Sequence, residues 1–202
     1  MPEKNKPMVP FMDTFYSLSS NDPSERNNAA SSLLQYIFVV ADSANEMDES
    51  DGEKSQQRFN ASIKDGCYAI TRLLTGLCSG RASARQGYAS CLSSFLKLAF
   101  QSALPKDVDS SHSCWMDHFM EEMNESKDPS LTKVEFVRTQ LLKHTSPAES
   151  LKDKNGLSKR AVKKGSEERD YMFGKLFGIL AVVRSNTLEV NDSDSSFEVS
   201  AQ

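Results

Sequence analysis

Tyr68-Ala69-Ile70-Thr71-Arg72-Leu73-Leu74-Thr75-Gly76-Leu77-Cys78-Ser79-Gly80-Arg81-Ala82-Ser83-Ala84-Arg85-Gln86-Gly87-Tyr88 decides the fold. Ile63, Cys67, Ile70, Leu74 and Leu77 recur at the spacing of one helix face, which predicts a helix from about Asn60 to Ser79. Gly80 suits the left-handed position that ends a helix. Ser83-Ala84-Arg85-Gln86 has the form of a capping box, opening a second helix to about Ser102. Its buried side is Ala84, Tyr88, Cys91, Leu92, Phe95 and Leu98 or Ala99, and Pro105 stops it. The stretch therefore reads as two helices joined by a short turn.

Working outward, the same pattern recurs. Asp22-Pro23-Ser24-Glu25 predicts a helix start, with Asp22 as N-cap, Pro23 in the first turn and Glu25 placed to bond back. Ala30, Leu33, Leu34, Ile37, Val40 and Ala41 follow as its apolar face. Trp115, Met116, Phe119, Met120 and Met123 form a shorter amphipathic segment, read as core. Thr132-Lys133-Val134-Glu135 opens another helix, with Leu131, Val134, Val137 and Leu141 on one side. The last helix starts near Ser166 and is expected to bury Met172, Phe173, Leu176, Phe177, Leu180 and Val183. Gly174 and Gly178 lie within it, and because an interior glycine costs about 1 kcal/mol of helix stability, they imply a close helix–helix approach.

No segment alternates with the period of a strand. The expected fold is all-α, an armadillo/HEAT-like stack of helical hairpins forming a partial superhelix. Residues 1–14 read as a flexible N-terminus, 15–188 as the helical-repeat domain and 189–202 as a disordered tail. Within the domain an acidic loop spans 42–58 and a basic loop 145–165. A stack needs a polar cap at each end, yet the final helix is the most apolar one. That pattern suggests the N-terminal piece of a longer protein, or a truncated product.

Of 202 residues, 38% are hydrophobic and the net charge is −4, which disfavours nonspecific coating of nucleic acid by the whole chain. Charge is segregated: Asp42, Glu46, Asp48, Glu49, Asp51 and Glu53 stand without a base, and Lys152, Lys154, Lys159, Arg160, Lys163 and Lys164 face one acid, Asp153. The cysteines, Cys67, Cys78, Cys91 and Cys114, form no CxxC pair, which argues against a zinc site or disulfide framework and for a reducing compartment. The apolar runs Tyr36–Ala41 and Leu176–Val183 are too short to span a bilayer, and the N-terminus has no signal-peptide core. No membrane partner is expected.

No catalytic, cofactor-binding or metal-binding set emerges. His112, His118 and His144 lack zinc spacing, and no Ser/His/Asp or Cys/His set is suggested. Asp192 and Asp194 sit in a polar tail, whereas a two-metal polymerase centre needs carboxylates on a rigid support. Candidate contacts for nucleic acid or a partner are Arg72, Arg81 and Arg85, together with Lys159, Arg160, Lys163 and Lys164. Arg81 and Arg85 lie four apart and share a helix side. Against a phosphate surface stands a structural role, in which these arginines satisfy carbonyls where the preceding helix ends. The cluster around Lys159 is a candidate nuclear-import signal or a solvated loop.

The chain resembles the N-terminal region of the nucleolar Myb-binding protein/DNA polymerase phi family. The family's pattern Y-x-I/L-x-R-L-x-x-G-L-x-S-x-R-x-x-A-R-x-G-Y/F is matched by Tyr68, Arg72, Leu73, Gly76, Leu77, Ser79, Arg81, Ala84, Arg85, Gly87 and Tyr88. A second pattern, E-x-R-D-x-x-F-G-R/K-L-F-G-x-L-A-x-x-x-S, is matched by Glu167, Arg169, Asp170, Phe173, Gly174, Lys175, Leu176, Phe177, Gly178, Leu180, Ala181 and Ser185. The resemblance implies a non-enzymatic scaffold or transcription regulator in the nucleus and nucleolus, serving rRNA transcription and ribosome production. Its implied partners are nuclear or nucleolar proteins such as transcription factors, and rDNA or rRNA. The alternative it carries is the DNA-directed DNA polymerase activity of the family name.

Overall fold

The computed structural model describes residues 10–38, 52–102, 104, 114–123, 131–146 and 164–187. Their regular elements are all helical: α1 (Phe11–Ser17), α2 (Pro23–Phe38), α3 (Gly52–Gly76), α4 (Ala82–Gln101), α5 (Trp115–Met123), α6 (Lys133–Thr145) and α7 (Lys164–Arg184). The all-α class expected from periodicity is what the described residues form.

Helix boundaries follow local chemistry, with instructive departures. The Asp22 carboxylate accepts the Ser24 N–H at 2.8 Å, as an N-cap should. Glu25 instead accepts the Ser20 hydroxyl at 2.6 Å. At α6, where the sequence predicts a helix start, the Thr132 hydroxyl accepts the Glu135 N–H and the Glu135 carboxylate accepts the Thr132 N–H, which makes a capping box. At α4 no such box exists. Its N-cap is Arg81, with no side-chain cap, because Ser83 already lies inside the first turn and its hydroxyl reaches the Ser19 carbonyl. Gly80 does not adopt the left-handed conformation. The one described non-glycine residue that does is Asn186, at φ 55°, just past α7.

Segment boundaries also shift. α1 begins at Phe11, inside the stretch read as a flexible N-terminus. α3 begins at Gly52, so residues 52–58 are helical where an acidic loop was expected. Thr145 belongs to α6 and Lys164 to α7. The rest of both expected loops, residues 1–9 and the expected tail 189–202 lie outside the described residues.

The core sits around α3 and α4. Phe95, Trp115, Met116, Phe119, Leu73, Leu77, Leu92 and Leu96 are almost wholly buried. Phe38 packs edge-on against Phe95 and Trp115, with ring centroids 5.1 and 5.3 Å away. Each such side chain contributes about 1.5–3 kcal/mol of apolar transfer. α1 closes the other end: Phe11 and Phe15 meet Tyr68, and the Tyr88 hydroxyl donates to the Phe15 carbonyl at 2.9 Å. α3 touches α2, α4, α5, α6 and α7, and α7 returns to lie along α4 as well as α6. In a linear stack each hairpin touches only its neighbours, so these contacts establish a helical bundle around α3 and α4, and hairpin stacking remains an expectation.

Candidate interaction surface

The informative surface is made by how α7 is seated. Sequence patterning expected its large apolar residues to point inward. The structure buries Gly174, Gly178, Ala181 and Ser185 instead. Met172 is 62% exposed, Leu176 60%, Ile179 55%, Leu180 43% and Val183 54%. Phe173 and Phe177 are half-buried.

The reason is distance. A methyl group at Gly174 would lie 2.4 Å from the Cys78 sulfur, and one at Gly178 would lie 2.2 Å from Leu141 Cδ1. α7 therefore approaches the α3 terminus and α6 too closely for any side chain to intervene. Two helix faces compete for the interior, and the small one wins because it permits contact at backbone range. The expectation of a close approach at Gly174 and Gly178 was sound; the expected apolar face was the wrong one.

Arg85 fastens this arrangement. It is 9% exposed, and its guanidinium donates to the Ser79 carbonyl at the end of α3. It lies 3.8 Å from the Asp170 carboxylate and stacks over the Phe173 ring at 4.7 Å. One side chain thus ties α3, α4 and α7 together, and it is withdrawn from any surface that nucleic acid would reach. Arg81 is exposed and donates to the Ser19 carbonyl after α1. Arg72 is exposed and lies 5.9 Å from the centre of the Phe15 ring. Lys159, Arg160 and Lys163 lie outside the described residues; Lys164 begins α7.

Beside the exposed stripe, α2, α4 and α7 enclose a cavity of about 380 Å³. Phe177 and Leu180 form apolar wall, Gln86 and Ser90 supply polar groups from α4, and Arg26 and Arg184 stand at its edge. Arg26 donates to the Ser20 and Asn21 carbonyls at 2.9 and 3.1 Å. Arg184 forms no ion pair among the described residues. Sequence reading named neither this cavity nor its arginines. The signal for the face was present, since Gly174, Gly178, Ala181 and Ser185 recur at helix-face spacing; it was outweighed by the larger apolar residues.

Elsewhere, polar groups serve the fold. Lys133 Nζ lies 3.0 Å from the Asp117 carboxylate and 3.2 Å from the Cys114 sulfur. Burial pulls the Lys133 ammonium down, but these partners outweigh it and hold its pKa above the usual value. Burial pushes the Cys91 thiol up to about 12, and burial with the nearby Glu122 charge does the same for Cys67. Such thiols are poor nucleophiles. Among the described residues no three His, Cys, Asp or Glu converge on a metal position, and no helix is long and apolar enough to cross a membrane.

The profile of the DNA polymerase phi family matches residues 68–200. The rDNA transcriptional regulator pol5 of Schizosaccharomyces pombe is 26% identical over 182 residues, covering 90% of this chain. The chain spans only 12% of that relative's length. No solved structure matches it.

Proposed function

Because this chain belongs to the DNA polymerase phi family, we propose that it acts as a non-enzymatic helical interaction module in the regulation of rDNA transcription. Its place is the nucleus, at the nucleolus, where it serves ribosome production. The process is suggested by the name of the fission-yeast relative. The mode of action rests on one observation: α7 turns Met172, Leu176, Ile179, Leu180 and Val183 to solvent. A row of large apolar side chains exposed along one helix is a usual mark of a protein-binding surface.

A protein partner is favoured over direct contact with rDNA or rRNA. Of the arginines that would face phosphate, Arg85 is buried and Arg81 is engaged at the Ser19 carbonyl. Arg72 is left beside Phe15, a thin basic surface for a backbone of regularly spaced charges. The polymerase alternative requires a fixed pair of carboxylates holding Mg²⁺, and Asp192 and Asp194 lie outside the described residues.

The test is pulse-labelling of pre-rRNA in cells whose own copy carries Leu176→Asp with Leu180→Asp. Labelling is expected to fall while the protein's abundance holds steady. Unchanged labelling would refute the module. Primer extension with Mg²⁺ is expected to yield no product, and templated extension would restore the polymerase alternative.

A further inference from the structure

We infer that the outer face of α7, with the cavity beside it, docks an acidic amphipathic α-helix of a partner protein. This deepens the interaction-module function proposed above and rests on it.

Shape comes first. Met172, Leu176, Ile179 and Val183 follow one another at steps of three and four residues, with Leu180 four beyond Leu176, and so form a single stripe. The stripe is rigidly backed, because the opposite side of α7 is pressed against Cys78 and Leu141 through Gly174 and Gly178. A straight apolar stripe on a rigid helix is complementary to the apolar face of a second helix. The cavity bounded by Phe177 and Leu180 adjoins it and accepts an anchoring side chain.

Charge then selects the partner. Arg169 is exposed, lies three residues before Met172 and seven before Leu176, and so stands at the N-terminal end of the stripe. Arg184 is exposed at the cavity edge, and Lys175 is half-buried on the other flank. Of the three acids on α7, Asp170 is held by Arg85, which leaves Glu167 and Glu168 near its N-terminal end. α4, which forms one side of the cavity, has no Asp or Glu along its length. A chain of net charge −4 thus presents bases around its exposed apolar stripe. Such a rim favours carboxylates flanking the partner's apolar face and disfavours lysines in the same places.

The experiment uses the full chain and two fluorescein-labelled synthetic helical peptides. Both carry leucines at helix-face spacing; one has glutamates on the flanks, its twin lysines. In fluorescence anisotropy the glutamate peptide is expected to bind about tenfold tighter, the effect of a few exposed ion pairs, with the gap shrinking as salt is raised. Arg169→Glu with Arg184→Glu should reverse the preference. Leu176→Asp with Leu180→Asp should abolish binding of both peptides without moving the melting temperature. Equal affinity for the two peptides overturns the inference. So does a sedimenting dimer that Leu176→Asp dissolves, since the occupant is then a second copy. Tighter peptide binding after Asp192→Asn, Asp194→Asn and Glu198→Gln also overturns it, because the chain's own C-terminal segment is then the occupant. Should pre-rRNA labelling fall in the leucine double variant while the peptides are not distinguished, the module stands and the acidic partner falls. Should labelling be untouched, the module falls whatever the peptides do.

Discussion

Gly87→Ala is the sharpest test of how this bundle is held together. Gly87 lies inside α4, where replacing glycine with alanine ordinarily gains about 1 kcal/mol. Here a Cβ would sit 1.9 Å from the Leu18 carbonyl oxygen, 3.0 Å from that carbonyl carbon and 2.9 Å from Arg26 Cδ. The nearest neighbour is backbone, so no rotamer change relieves the clash. α1 must instead retreat by roughly 1.3 Å to restore ordinary contact. That retreat strains the Tyr88 hydroxyl bond to the Phe15 carbonyl and the Arg81 bond to the Ser19 carbonyl. Overpacking costs about 1–3 kcal/mol, and the upper end applies with backbone bonds at stake. Subtracting the propensity gain leaves a net loss of about 2 kcal/mol, or roughly 4–8 °C in Tm for a domain of this size. Urea unfolding followed by far-UV circular dichroism measures it. Gly80→Ala is the control: its nearest neighbour is Asp170 Oδ2 at 3.7 Å and its backbone is not left-handed, so stability should be unchanged or slightly raised. A Gly87→Ala protein as stable as the unaltered chain would refute the close approach of α1 to α4.

Arg85→Met should lower stability by about 2–3 kcal/mol in urea titration, since it strands the Ser79 carbonyl and the half-buried Asp170 carboxylate; a neutral outcome would remove Arg85 from its fastening role. Thr132→Ala should cost about 1 kcal/mol by the same assay, because the hydroxyl that accepts the Glu135 N–H and donates to the Glu135 carboxylate is lost while the backbone half of the box survives; no change would mean that α6 is fixed by packing alone. The Cys91 thiol stays protonated in the fold to about 12, whereas in the unfolded chain it ionises near 9.0. The unfolded state therefore binds fewer protons above that pH, and stability falls as pH rises, by about 1.4 kcal/mol per unit for this group. Cys91→Ala should flatten the stability–pH curve between about pH 9 and about pH 12; an unaltered slope there counts against burial as the cause.

Much of the helical architecture is legible without coordinates. The faces of α3 and α4 are strongly apolar on one side and polar on the other, so Ile70, Leu74, Leu77, Leu92 and Phe95 are buried as their spacing predicts. The Thr132–Glu135 box and the Asp22 cap are local chemistry, complete within one turn, and both form. α1 escaped notice because seven residues carry too little periodicity; its place is set by Phe15 and Leu18 meeting distant α4. The turn before α4 was misread for a related reason. Gly80 and Ser83 have residue types that fit a standard motif, but Ser19, sixty-odd residues away, competes for the same polar groups.

The order of residues alone carries the helical class, most of the core and the two glycines that demand close packing in α7. Which side of α7 faces in is decided only once Cys78, Thr145 and Leu141 are brought to it from α3 and α6. Periodicity ranks faces by hydrophobicity, while packing ranks them by how near two backbones can come. At α7 those orders conflict. The apolar face left over is turned to solvent, and it is there that the proposed partner helix would dock.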